Sequence, residues 1–386
     1  MFFFHEGIHR RDLIFVLLNL ALIALLLFLP TGFEELVPKN TVRARGVVVE
    51  TDDSEVQQLG IVKVGTQEAR VRILGGPFRD REVTGQNNLI GSMELDKIYA
   101  PGNRVLLGID LVPGREEIIH VNIIDHYRIH IEILLFGVFT LLLLLYAGWT
   151  GLKALISFLF TALMIWKVLL PGFLRGWNPV LLSLGVVITL TALIIFLIGG
   201  LQKKGMVAFL GAASGVLFTC LLSLGFSEGF HLHGAVKPFS ETLLYSGFPH
   251  LDLKKIFLSG IFLASSGAVM DTAMDISASM NEVAQKHRHI HRKDLVQSGV
   301  TVGRAVIGTM TTTLLLAYTG GFTTMIMVFI AQGTPLLNIF NIQYVSSEIL
   351  HTLVGSFGLV TVAPFTALIG GLVYVKERRE SPQRPE

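Results

Sequence analysis

Eight apolar runs, each long enough to cross a bilayer as a helix, restrict this chain more than any other feature of its sequence. They cover approximately residues 13–30, 130–148, 154–172, 179–200, 205–225, 256–280, 300–320 and 349–374. About 20 apolar residues suffice to span roughly 30 Å of hydrocarbon. A shorter run, 322–330, is followed by Gln332, Gly333 and Pro335 and suits a re-entrant or interfacial segment better than a crossing. With 51% hydrophobic and 16% charged residues and a mean hydropathy of +0.61, the chain lies outside the balance of a soluble domain. Its net charge of +2 argues against a nucleic-acid partner, and one cysteine, Cys220, permits neither an intrachain disulfide nor a Cys-based metal site. The run after His9, Arg10 and Arg11 lacks a small-x-small cleavage pattern and reads as a retained helix.

Loop charge orients the helices. With the N-terminus inside, Arg10, Arg11, Lys153, Lys203, Lys204, the run Lys286 to Lys293, and Lys376, Arg378 and Arg379 all fall on the cytoplasmic side. Both termini are therefore expected in the cytoplasm of a multi-pass cell-membrane protein. Residues 41–126 differ, holding nearly half of the 29 acidic residues and about a third of the 31 basic ones. Alternating runs at 41–50, 60–64, 69–74, 105–111 and 118–124, punctuated by Gly75-Gly76-Pro77 and Pro101-Gly102-Asn103, predict five or six short strands. The expected fold class is a membrane all-α bundle of about eight transmembrane helices with an inserted extracytoplasmic β-barrel, OB-like or a sandwich, that is a functional or a spacer domain. The expected domains are an N-terminal helix and linker (1–40), the β-rich domain (41–126), seven membrane helices (127–376) and a cytoplasmic tail (377–386).

The sixth run carries the most chemistry. In SGIFLASSGAVMDTAMDISASMNE, Asp271 and Asp275 are four apart and so share a helical face, near which Ser279 and Glu282 follow. Ionisable groups at membrane depth are costly and normally face a cavity or a partner. Arg304 on the next run is the candidate cation at comparable depth, and Ser265, Ser266, Thr309 and Thr312 supply hydroxyls for a polar site around the aspartates. The competing structural readings are that the aspartates pair with the basic loop after them and that the hydroxyls bond to their own helices. Glu348 and His351, three apart, are candidate gate or proton-relay residues; Lys167 reads as a snorkelling cation. The run HRHIHRK, with His287, His289 and His291, reads as a solvated loop, since no carboxylate or cysteine completes a ligand set. No catalytic residue, metal site or cofactor is expected; paired aspartates on one helix do not face each other as a protease requires.

The segments SSGAVMDTAMDISASMNE and GRAVIGTMTTTLLLAYTGG, with the N-terminal helix and the β-rich insert, resemble the YibE/F-like family of bacterial membrane proteins. That resemblance implies the architecture and at most a transporter or permease, in some cases two related proteins working together; it assigns no residue a role. The leading expectation is a non-enzymatic transporter or permease subunit that moves a small ion or polar solute between the sixth and seventh helices. It would have the lipid bilayer and a second copy or a related subunit as partners. No Walker-type GxxxxGK[ST] motif is present, so transport would be ion-coupled, passive or driven by a partner. The alternative is a scaffold in envelope assembly or signalling that acts through its β-domain.

Overall fold

The computed structural model describes residues 10–38, 40–287 and 289–375; the expected 377–386 tail and the basic residues at 376, 378 and 379 lie outside them. The chain divides into two compact units, residues 32–145 and residues 1–31 with 146–386.

The first unit is built on strands β1 (Thr41–Leu59), β2 (Val62–Ile73), β3 (Glu82–Ile90), β4 (Arg104–Leu111) and β5 (Ile118–His126). They form a closed barrel in the order β1-β2-β3-β5-β4, antiparallel except for the β3–β5 contact at Gln86 and Asn122. β1 serves two neighbours: Gly46 lies opposite both Ile73 of β2 and Val105 of β4. A bulge between Val48 and Glu50 bends it there. Gly46 is needed where β1 is shared, because a Cβ would come 2.5 Å from Val71 and 3.0 Å from Leu107. Inward positions two apart, such as Val105, Leu107 and Ile109, fill the core with Val71, Ile73 and Tyr99. Gln67, fully buried, is satisfied by Asp53, Asn87 and the Tyr99 backbone.

Helix α1 (Arg10–Phe28) precedes the barrel and α2 (Ile129–Met164) follows it, running through a π-turn (Ile165–Leu169) into α3 (Leu170–Leu174). Gly148 interrupts α2 with φ 53° and ψ −123°, backbone that glycine tolerates and other residues do not. Then come α4 (Pro179–Gly199), α5 (Lys203–Ser227), α6 (Ser240–Tyr245), α7 (Leu253–Lys286), α8 (Arg292–Gly320), α9 (Thr323–Ala331), α10 (Leu336–Asn341) and α11 (Gln343–Tyr374). Among the described residues six helical segments are long and apolar enough to cross a membrane, with Ile129–Leu174 counted as one; Leu13–Phe28 is a shorter apolar helix. The stretch 322–330 forms the short helix α9.

Small residues bring α5, α7, α8 and α11 together. A Cβ on Gly211 would collide with Thr366, one on Gly358 with Thr219, and one on Gly303 would lie 2.6 Å from Ala363. This is the packing expected where helices associate without a hydrophobic difference between protein and surroundings. Lys167 does not merely snorkel: its Nζ donates to the Leu29 carbonyl at 2.9 Å, and Arg175 donates to Thr31 at 2.9 Å. Both cations thus satisfy carbonyls just past the C-terminal end of α1.

Candidate functional site

α7 begins where Asp252 accepts from the Lys255 backbone N–H at 3.0 Å. Its buried side carries Thr272, Ala273, Ile276 and Ser277. Asp271 and Asp275 therefore share the opposite, exposed side, one turn apart. They do not point into the packed interior but line a lateral cavity of about 310 Å³, walled by Ile194, Ile195 and Ile198 of α4, Met270 and Met274 of α7, and Met310 of α8. Among the described residues neither carboxylate has a hydrogen-bond or ion-pair partner.

The other residues expected around this pair are placed elsewhere. Gly303 occupies the α8 position against Ile276 and Ala363, so Arg304, the next residue, falls on the exposed side and makes no ion pair with Asp275. The cation is missing from the cavity because Met310, more than a turn further along α8, is the residue that reaches it. Ser265 and Ser266 donate to Phe262 and Leu263 of their own helix, and Thr309 to Val306. Thr312 is exposed and does not line the cavity. Glu282 is exposed and pairs with Lys286 at 2.7 Å, a contact within one helix. The polar site expected from the sequence is thus reduced to two carboxylates in an apolar, sulfur-rich wall.

Glu348 and His351 do come together, on the first turns of α11, with Oε2 of Glu348 3.5 Å from Nδ1 of His351. Two residues that no spacing signal links to them complete the cluster. Lys237, in the irregular segment before α6, forms an ion pair with Oε1 of Glu348, and Tyr318 of α8 stacks on the His351 ring with centroids 4.4 Å apart. In the sequence Lys237 stands alone in a connecting segment, and Tyr318 sits in an apolar run. Phe322 and Phe257 lie 4.9 and 6.0 Å from the Lys237 ammonium.

The sequence matches the YibE/F-like protein family over residues 135–376. The chain belongs to that family. Comparison with curated proteins and with solved structures finds no match. Every residue of both polar clusters lies inside the matched segment, whereas the five strands of the barrel precede it.

Proposed function

We propose that this YibE/F-like protein is a transporter or permease subunit of the cell membrane, moving a small ion or polar solute past Asp271 and Asp275. The observation that carries this reading is the pair of unpartnered carboxylates on the wall of a cavity between apolar helices. A charge among apolar helices is costly, up to about 2.5–3.5 kcal/mol where it reaches the bilayer centre, so a pair one turn apart is a poor structural element and a good attractor for a cation or a hydrogen-bond donor.

The membrane arrangement belonging to this reading has eight crossings: α1, the two parts of Ile129–Leu174 on either side of Gly148, and α4, α5, α7, α8 and α11. The termini are cytoplasmic and the barrel, which we read as OB-like from its strand order, is extracytoplasmic. The lipid bilayer and a second copy or related subunit remain its expected partners, the latter to cover the exposed side of α7 and α8.

The test uses proteoliposomes on a solid-supported membrane, exposed to concentration jumps of sodium, potassium, magnesium and phosphate and to pH jumps. A transporter gives a charge-displacement current for at least one of these, and Asp271→Asn reduces it about tenfold or more while insertion and yield are unchanged. Currents that survive intact in the Asp271→Asn and Asp275→Asn double variant overturn the assignment of the path. Silence in every jump favours the scaffold reading.

A further inference from the structure

The second polar cluster is separate from the carboxylate cavity. Phe257, whose ring lies edge-on to His351 at 6.5 Å, precedes Asp271 by fourteen residues, roughly 21 Å of helix. Glu348 is 91% buried and its Oε1 is held by Lys237, but among the described residues Oε2 has no hydrogen-bond partner. Among the same residues neither ring nitrogen of His351 has one, nor does the buried hydroxyl of Tyr318. One member of the pair lines each of two cavities. Glu348 and Tyr318 border one of about 350 Å³, His351 and Lys237 one of about 150 Å³.

We propose that these four residues form a proton-binding site, with the imidazole of His351 as acceptor and Glu348 as the carboxylate that closes on it. A proton from water adds to the lone pair of the unprotonated ring nitrogen. The resulting N–H at Nδ1 donates to Oε2 of Glu348 and converts the 3.5 Å approach into a charge-assisted hydrogen bond. The carboxylate is then shared between Lys237 and the imidazolium, and the cluster goes from neutral to a single positive charge. Tyr318, stacked on the ring, presents its π face to the new cation.

A metal ion does not suit the place: one carboxylate and one imidazole face a resident ammonium, and no group of three His, Cys, Asp or Glu occurs among the described residues. An anion does not suit it either, because the charge of Lys237 is taken up by Glu348. The groups facing His351 are Glu348 on its own helix, Lys237 from the segment before α6 and Tyr318 from α8. α7 contributes the uncharged Phe257, and the adjoining side toward α5 is the apolar cluster with Leu222 and Phe230. Histidine is the side chain whose ordinary titration falls between about pH 5 and 8, so a site centred on it responds to gradients a membrane sustains. The inference deepens the transport reading by making the proton the coupling ion, and rests on that reading for this role alone.

The test is hydrogen exchange at C2 of histidine, followed by mass spectrometry on the full-length protein in lipid nanodiscs. The readout is the midpoint of the pH dependence of exchange at His351. Glu348→Gln, which keeps the shape and removes the charge, is expected to lower its midpoint by about one pH unit, a tenfold loss of proton affinity. Lys237→Gln, read independently should the first variant fail to insert, is expected to raise it. A His351 whose exchange shows no pH-dependent transition, or a midpoint that neither variant moves, overturns the site. A titrating, charge-sensitive His351 establishes the site even in proteoliposomes that give no current. Currents with a silent His351 leave the transport reading standing and remove the proton from it.

Discussion

At the scale of single residues, glycine separates packing from propensity in the helices. Gly211 and Gly267 both lie inside apolar helices, yet a Cβ on Gly211 meets Thr366 and one on Gly267 meets nothing within 4 Å. Gly211→Ala is expected to destabilise the detergent-solubilised protein by about 1–3 kcal/mol through overpacking. Gly267→Ala is expected to be neutral or to stabilise it by up to about 1 kcal/mol through helix propensity. Thermal unfolding followed by circular dichroism compares the two, and equal effects would contradict the close approach of α5 and α11. In the barrel, Tyr99 is 2% exposed and its hydroxyl has no hydrogen-bond partner among the described residues. Burial, with the Asp125 carboxylate adding to it, pushes its phenol up to about 12. A group with its folded pKa above the unfolded value contributes stability below the unfolded value and loses it as pH rises through the folded one. The barrel should therefore lose stability between about pH 10 and 12, and Tyr99→Phe should lack that part of the loss; alkaline unfolding curves of both proteins check it.

At the scale of elements, the sequence announces helices far better than their ends or their contacts. The run read at 256–280 is helix Leu253–Lys286, and 300–320 is Arg292–Gly320. Hydropathy marks the apolar middle of a helix, but caps such as Asp252 and polar turns beyond the apolar part set its length. Strand β3, EVTGQNNLI, does not stand out as an alternating run because its inward positions include Gly85 and Asn87, the latter held by Gln67. Spacing placed Asp271 beside Asp275 and Glu348 beside His351, since pairs three or four apart are fixed by the helix itself. It did not place Lys237 or Tyr318, and it misplaced Arg304, because which faces of two helices meet depends on glycines such as Gly303 rather than on depth along the helix. The break in α2 gives a prediction of its own. Gly148 adopts backbone angles that cost a side-chain-bearing residue about 1–3 kcal/mol, whereas Gly137, helical and with nothing around its Cβ position, costs nothing to replace. Gly148→Ala should lower the unfolding temperature and Gly137→Ala should not; similar effects would mean that the break is not imposed by Gly148.

At the scale of the whole molecule, the chain joins a compact five-stranded barrel to a separate helical unit, and the family match covers the helices alone. In the proposed eight-crossing arrangement the basic connections fall on one side, because Ile129–Leu174 then contributes two crossings divided at Gly148. With one crossing there, the α4–α5 turn carrying Lys203 and Lys204 would lie on the same side as the barrel. With two, it lies opposite. A single native cysteine makes this measurable, because Cys220 is buried in α5 and its replacement by alanine leaves a cysteine-free background. Glu116, on the exposed turn between β4 and β5, and Gln202, exposed at the N-cap of α5, are suitable reporters. In intact cells Glu116→Cys should react with a membrane-impermeant maleimide, and Gln202→Cys should react only after permeabilisation. Labelling of both positions in intact cells would mean one crossing in Ile129–Leu174 and would withdraw the eight-helix arrangement. The reverse pattern would keep the number of crossings and invert the protein, placing the barrel in the cytoplasm.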